Sequence, residues 1–125
     1  MQGKTYVVEH LDPDLGPWSA LEYATIAKES HEAGATFCLT SVSQDLVLPE
    51  DLKRTQGLRV ETESVEVLFA DAKPRTCLLD PAAAVELTPE DGERFDIFLF
   101  GGILGTCDIG HYVFMFIDLY EPWHR

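Results

Sequence analysis

A mostly parallel α/β sheet flanked by helices is the fold this sequence predicts, and three observations predict it. Short runs rich in β-branched and aromatic residues recur along the chain, as "KTYVVEH", "ATFCLTS", "RTCLLDP" and "FDIFLFGG". Segments with helix-like spacing or helix start signals lie between them. The opening unit runs strand, helix, strand, which closes most naturally as a parallel pair with a right-handed crossover. The chain has 125 residues, 46% of them apolar and 25% charged, which fits one soluble domain with a real core.

In chain order, residues 4–10 read as a buried strand, followed by the polar, proline- and glycine-bearing turn "LDPDLGP". Residues 18–33 place Trp18, Leu21, Tyr23, Ala24 and Ile26 mainly at three- and four-residue steps, an amphipathic helix that Gly34 should stop. Residues 35–41 return as a strand. The middle is looser: "LPEDLKRTQG" reads as a short helix, "LRVET" as a weak strand, and "ESVEVLFAD" as either a helix or an edge strand. Residues 75–81 form the next apolar run, ended by Pro81. In "TPEDGERF", Thr88 is placed to cap a helix, Pro89 to occupy its first position and acids to fill its first turn. "FDIFLFGG" is the last strand before the glycine segment.

The formal charge of −13 repels phosphate backbones and attracts basic partners, so direct nucleic-acid binding is disfavoured. Cys38, Cys77 and Cys107 are odd in number and lack zinc or redox spacing, which predicts reduced thiols, a cytoplasmic setting and no metal site. The N-terminus lacks the apolar core of a signal peptide, and the apolar run 112–117 is too short to span a bilayer. Cys77, on an apolar strand, reads as a small core residue rather than a nucleophile.

Ligands of open parallel sheets bind outside the carboxyl ends of the strands. That edge should gather Glu9, His10, Asp80, Gly101 and Gly102. The "GGILG" spacing is neither G-x-G-x-x-G nor a lysine-bearing phosphate loop, so a nucleotide phosphate cradle is poorly supported.

The segments "YVVEHLDPDLGPWSALEY", "CLLDPAAAVELTPEDGERFD" and "FLFGGILG", in this order, resemble the SPOUT-class methyltransferase family whose characterised member methylates an arginine of a small-subunit ribosomal protein. The resemblance implies a SPOUT-like α/β fold with a C-terminal trefoil knot, a homodimer as in many such proteins, and S-adenosylmethionine as cofactor. It implies a cofactor loop of Gly101, Gly102, Ile103, Leu104 and Gly105, with Leu79 and Asp80 on the preceding strand end. Arginine methylation favours a carboxylate that orients the guanidinium and takes its proton. Glu9, which matches the family's "EH" motif, is the candidate, with His10 and Glu22 behind it.

After "GGILG" the family continues with Asp and a Pro/Arg-rich segment. Thr106 stands in place of that Asp, and "CDIGHYVFMFIDLYEPWHR" resembles no later part of the family pattern. The expected division is therefore a methyltransferase core, 1–105, and an atypical tail, 106–125, like the end of a truncated or alternatively spliced product or a faulty gene model. The knot is expected to be incomplete, donor binding weak or undetectable, and methylation of a basic ribosomal protein absent. Two alternatives to a working protein-arginine methyltransferase are an inactive fragment that dimerises or binds a basic partner, and an RNA methyltransferase.

Overall fold

The computed structural model describes residues 3–11, 14–79 and 88–100. Asp80, the glycine segment 101–105, Cys107 and the rest of the tail lie outside them. The described elements are β1 (Thr5–Glu9), α1 (Pro17–Glu32), β2 (Thr36–Thr40), α2 (Glu50–Lys53), β3 (Leu58–Val60), α3 (Val65–Leu68), a 3₁₀ helix (Ala70–Arg75), β4 (Thr76–Leu79), α4 (Pro89–Arg94) and β5 (Ile97–Phe100). The ambiguous "ESVEVLFAD" is helical, in α3 and the start of the 3₁₀ helix.

The five strands form one sheet in the order β3-β2-β1-β5-β4, and every pair is parallel. β1 is central. It pairs with β2 from Thr5↔Thr36 to Glu9↔Thr40, and with β5 from Thr5↔Ile97 to Val8↔Phe100. Its side chains alternate between two cores, as strand periodicity requires. Tyr6 and Val8 join Phe37, Leu39, Phe98 and Phe100 under Tyr23, Ile26 and Ala27 of α1 and Leu52 of α2. Val7 joins Cys38 and Ile97 under Val65 of α3 and Ala72 of the 3₁₀ helix. The central strands β2, β1 and β5 are buried on both sides, which is why they read as nearly continuous apolar runs. Tyr6, Phe37 and Phe98 are wholly buried; each contributes on the order of 2–3 kcal/mol by leaving water.

The placement of the helices follows from crossover handedness. As the sheet grows from β1 through β2 to β3, α1 and α2 cover one face. The chain then returns across the sheet to β4, and α3 and the 3₁₀ helix cover the other.

α1 ends as its sequence requires. Gly34 adopts φ +80°, its N–H donates to the His31 carbonyl, and the Ala35 N–H donates to the Ser30 carbonyl, the paired bonds of a Schellman motif. At α4, the Asp91 carboxylate accepts from the Thr88 N–H (2.9 Å), so the start signal in "TPED" forms as expected. The inward face of α1 differs from the expected one: it is Tyr23, Ile26, Ala27 and Ser30, whereas Trp18 and Leu21 are exposed. Ala27 and Ser30 are small and let the helix lie close to the sheet. Trp18 is nine residues from Ala27, about 180° round the helix, so both cannot face the core.

The amino ends of β4, β5 and β1 are tied by one residue. Asp96 accepts from Arg75 Nη1 (2.8 Å), lies 3.5 Å from Lys4 Nζ, and gives its carbonyl to the Thr5 N–H (2.9 Å). Lys4 Nζ also donates to the Phe95 carbonyl (2.8 Å). Far from these charges, Gly57 sits beneath α1 at φ +85°. A Cβ there would lie 2.7 Å from His31 Cβ and 3.0 Å from the Ala27 carbonyl oxygen. Gly57→Ala therefore meets both a left-handed backbone and the body of α1. We expect a loss of about 2–4 kcal/mol, read as a lowered denaturant midpoint; an unchanged midpoint would mean that α1 does not pack on this turn.

Candidate functional site

Parallel pairing carries the carboxyl ends of all five strands to one edge. Leu79 and Phe100 are partners in register, and Phe100 also partners Val8. The residues immediately before Asp80 and Gly101 are thus side by side, next to the strand that ends in Glu9. Leu79 is half-buried against the α1-side core. Asp80, Gly101, Gly102, Ile103, Leu104 and Gly105 lie outside the described residues.

Glu9 is half-buried and faces α3. Its Oε1 accepts from the Val65 N–H (2.8 Å) and from the Ser41 hydroxyl (3.3 Å). The carboxylate thereby satisfies one of the free donors at the start of α3, where a negative charge is favoured. One side chain joins β1, the end of β2 and the helix on the far face.

His10 turns the other way. It is buried, and its N–H extends the β1–β2 ladder by donating to the Thr40 carbonyl (2.8 Å). Nε2 lies 2.8 Å from the Asp14 carbonyl oxygen and Nδ1 lies 3.0 Å from the Tyr23 hydroxyl. A carbonyl only accepts, so Nε2 carries a proton, and in the neutral ring Nδ1 accepts from Tyr23. The imidazole thus holds the turn after β1 against α1. Glu22 is half-buried on α1, next to Tyr23. The three acid–base candidates therefore do not form one cluster: Glu9 lies on the α3 side of the sheet, with His10 on the α1 side and Glu22 on α1 itself.

Two residues at the edge went unnoticed in the sequence. Ser41, just past β2, has φ 57°, the one non-glycine residue in the left-handed region among those described. Besides holding Glu9, it donates its N–H to the Glu63 carbonyl (2.9 Å). Backbone strain of this kind concentrates at functional sites. Thr40 is wholly buried, and its Oγ1 finds no hydrogen-bond partner. Both stand where β2 finishes, at the same edge as Glu9, and the pairing of β2 with β1 is the signal that marks them.

The described edge is anionic. Glu9, Glu61 and Glu63 lie on it, and Arg59 is occupied: its Nε donates to Glu61 (2.9 Å) and its guanidinium lies 5.7 Å from the Phe69 ring centre. The Glu61 hydrogen bond raises the guanidinium's pKa further. Among the described residues no group of three or more His, Cys, Asp or Glu could hold a metal ion, and no helix is long and apolar enough to cross a membrane.

A parallel sheet in this order, covered by helices on both faces, is similar to SPOUT-type methyltransferase structures. A Trm10 structure from Thermococcus kodakaraensis superimposes with a TM-score of 0.58 over 98% of this chain and 59% of that one, at 14% identity. The narrower relationship lies in the sequence: the chain belongs to the family described as protein arginine N-methyltransferase SFM1-like, which matches residues 5–109. It is 36% identical over 110 residues to protein arginine N-methyltransferase SFM1 of Saccharomyces cerevisiae, covering 80% of this chain and 50% of that protein. The yeast SFM1 structure complexed with SAM gives a TM-score of 0.68 at 31% identity, covering 95% of this chain and 57% of that one. The complex with MTA gives 0.67 at 32%, covering 93% and 63%. The chain thus spans about half the length of the curated relative it matches.

Glu9 and the cysteines each yield a measurable expectation. Glu9→Ala strands the Val65 N–H and the Ser41 hydroxyl and should cost about 1–3 kcal/mol, whereas Glu9→Gln keeps an acceptor oxygen and should cost less. Equal denaturation midpoints for the two variants would show that the cap contributes nothing. The cysteines set a pH dependence. Burial pushes the Cys38 thiol from its ordinary 9.0 up to about 11, and burial also raises that of Cys77. Neither is an activated nucleophile. Folded Cys38 keeps its proton up to about 11 while the unfolded thiol releases it near 9. Unfolding above pH 9 therefore releases a proton, so stability is full below pH 9 and declines between 9 and 11, by at most about 2–3 kcal/mol. Cys38→Ala should flatten that part of a stability–pH curve; an undiminished slope would assign the decline elsewhere.

Proposed function

We propose that this chain is an S-adenosylmethionine-dependent protein-arginine methyltransferase. Its donor sits beyond the carboxyl ends of β1, β5 and β4, and its acceptor is an arginine of a basic protein, a small-subunit ribosomal protein being the first to test. The observation that carries this reading is the placement of Leu79 and Phe100, directly before Asp80 and the "GGILG" segment, beside the Glu9 end of the central strand. Family membership and the complexes of yeast SFM1 with SAM and MTA support it.

The residues present fit such a donor. A methyl sulfonium and a guanidinium are both cations, and the described edge carries carboxylates and no unpaired cation, unlike a phosphate site. The unsatisfied Thr40 Oγ1 adds a buried polar group there. When bound, the donor supplies an electrophilic methyl group on sulfur. Gly101, Gly102 and Gly105 would be the residues to admit its adenosine, since they carry no Cβ, with Leu79, Ile103 and Leu104 as the apolar side chains to hold it. The two bonds on Oε1 fix the Glu9 carboxylate, which would leave Oε2 to take the proton that the acceptor nitrogen sheds as the methyl group passes from sulfur to nitrogen, the carbon–sulfur bond breaks and the neutral thioether leaves. His10 holds the turn behind it, and Glu22 adds negative charge toward the guanidinium. Reduced thiols fit action in the cytoplasm, where ribosomal proteins are made.

A second reading, a binding module without turnover, is favoured by one observation: Glu9 already spends an oxygen on α3. Titrating S-adenosylmethionine and S-adenosylhomocysteine into the purified chain, with methyl incorporation into small-subunit ribosomal protein measured in parallel, tests both readings. The enzyme reading expects binding and turnover, loss of binding in a folded Gly102→Val variant, and a roughly 100-fold or greater fall in turnover in Glu9→Gln with donor affinity unchanged. Binding without methylation leaves the module reading. No binding by the folded chain overturns both.

A further inference from the structure

The mechanism leaves the outward face of α1 unused. Trp18 and Leu21 are 81% and 62% exposed, too much for residues whose volume serves the core. They are three residues apart and therefore adjacent on the helix surface. Continuing along this side, Thr25, Glu29 and Glu32 are exposed as well, with exposed Lys28 at its margin, so the two glutamates outnumber the one cation. Successive positions on this side lie within about 60° of one another, opposite the buried Tyr23, Ala27 and Ser30. The stripe thus has an aromatic and aliphatic head and an acidic tail. Its direction is fixed by topology: α1 follows β1, so its first turn stands at the carboxyl edge and its last at the amino edge.

We propose that this face of α1 is the docking surface for the basic protein segment that presents the arginine to the site. The inference rests on reading the carboxyl edge as the reaction site and extends it to the partner. The chain's formal charge of −13 and the glutamates on the stripe select a cationic partner and repel RNA. Trp18 offers an aromatic face to guanidinium groups and, with Leu21, an apolar anchor for one hydrophobic side chain of the segment. A segment lying along α1 with its basic residues over Glu29 and Glu32 delivers its leading arginine past Glu22 to the strand ends. A second copy of this chain matches the surface less well, since two chains of formal charge −13 repel each other.

The test uses a fluorescein-labelled peptide of about 15 residues, enough to run the length of α1, with arginines and leucines at helical spacing. A peptide with glutamine for arginine and a labelled single-stranded RNA serve as comparisons. Anisotropy titrations are run on the full chain, on Trp18→Ala/Leu21→Ala and on Glu29→Gln/Glu32→Gln, each verified as folded by circular dichroism. We expect the arginine peptide to bind the parent, the first variant to weaken binding about tenfold or more, and the second to remove most of its salt dependence. The glutamine peptide and the RNA should bind poorly. Equal peptide affinity in parent and Trp18→Ala/Leu21→Ala, preference for RNA, or a parent that self-associates through Trp18 and Leu21 in sedimentation would overturn the proposal. A donor titration on the same samples keeps the two readings apart. Both variants retain the carboxyl edge, so loss of donor binding in the parent defeats the site, while loss of peptide discrimination defeats the surface.

Discussion

The site depends on one constraint: β1 is hydrogen-bonded on both sides, to β2 and β5, by strands that run in its own direction. Once that triple is fixed, Glu9, Thr40 and Phe100 must end at a single edge, and the pairing of β4 with β5 brings Leu79 to it. No side-chain interaction is needed to gather them. The apolar character of Tyr6, Val7 and Val8 is what places β1 in the middle, since a strand buried on both faces cannot serve as an exposed sheet edge. The edge positions fall instead to β3, with three residues and partly exposed Arg59 and Val60, and to β4, with exposed Leu78.

Charge is distributed along the strand axis with some order. At the amino ends, Lys4 and Arg75 share the Asp96 carboxylate, which offsets one of their two positive charges and holds β4, β5 and β1 together. At the carboxyl ends the described acids outnumber the cations, and the nearby guanidinium, Arg59, is held by Glu61. The result is a sheet that is closed electrostatically at one end and open to cations at the other. Such a field suits a sulfonium and a guanidinium, and it offers little to a phosphate.

Much of this was legible in the residues themselves. The strands and α1 follow from local pattern, Gly34 and Thr88 announced helix ends that formed as expected, and the parallel sheet followed from the first strand–helix–strand unit. Three features were not legible, each for the same reason. The insertion of β5 between β1 and β4, the outward turn of Trp18, and the capture of Glu9 by the N-terminus of α3 all depend on partners far away in the chain. Val65 lies 56 residues from Glu9. Periodicity reports that α1 has apolar residues, but which of them faces the sheet is decided by how closely Ala27 and Ser30 allow the helix to approach. Nothing in "LTSVS" marks Ser41 for a left-handed backbone, because the conformation is imposed by its bonds to Glu63 and Glu9.

Stability and function are thereby separated along the strands. The carboxyl edge holds two features that cost free energy in a folded chain: a serine in the left-handed region, on the order of 1–2 kcal/mol, and the Thr40 hydroxyl without a partner, on the order of 1–3 kcal/mol, a cost that the buried Ser30 hydroxyl repeats in the last turn of α1. The first turn of α1 leaves a tryptophan in water. Neither the serine backbone nor the tryptophan contributes to the core, and all three features stand at the edge where ligands of parallel sheets bind. The amino edge carries the opposite set: the Asp96 bridge, the Schellman closure of α1 and the Gly57 contact beneath it. Local strain persists only where the surrounding structure over-determines it, and here that structure is the double pairing of β1 and the two apolar layers around it. Glu9 belongs to both sets. It caps α3 through one oxygen and stands at the carboxyl end of β1, so the bond that fixes its carboxylate at that edge is the same bond that ties the far-face helix to the sheet.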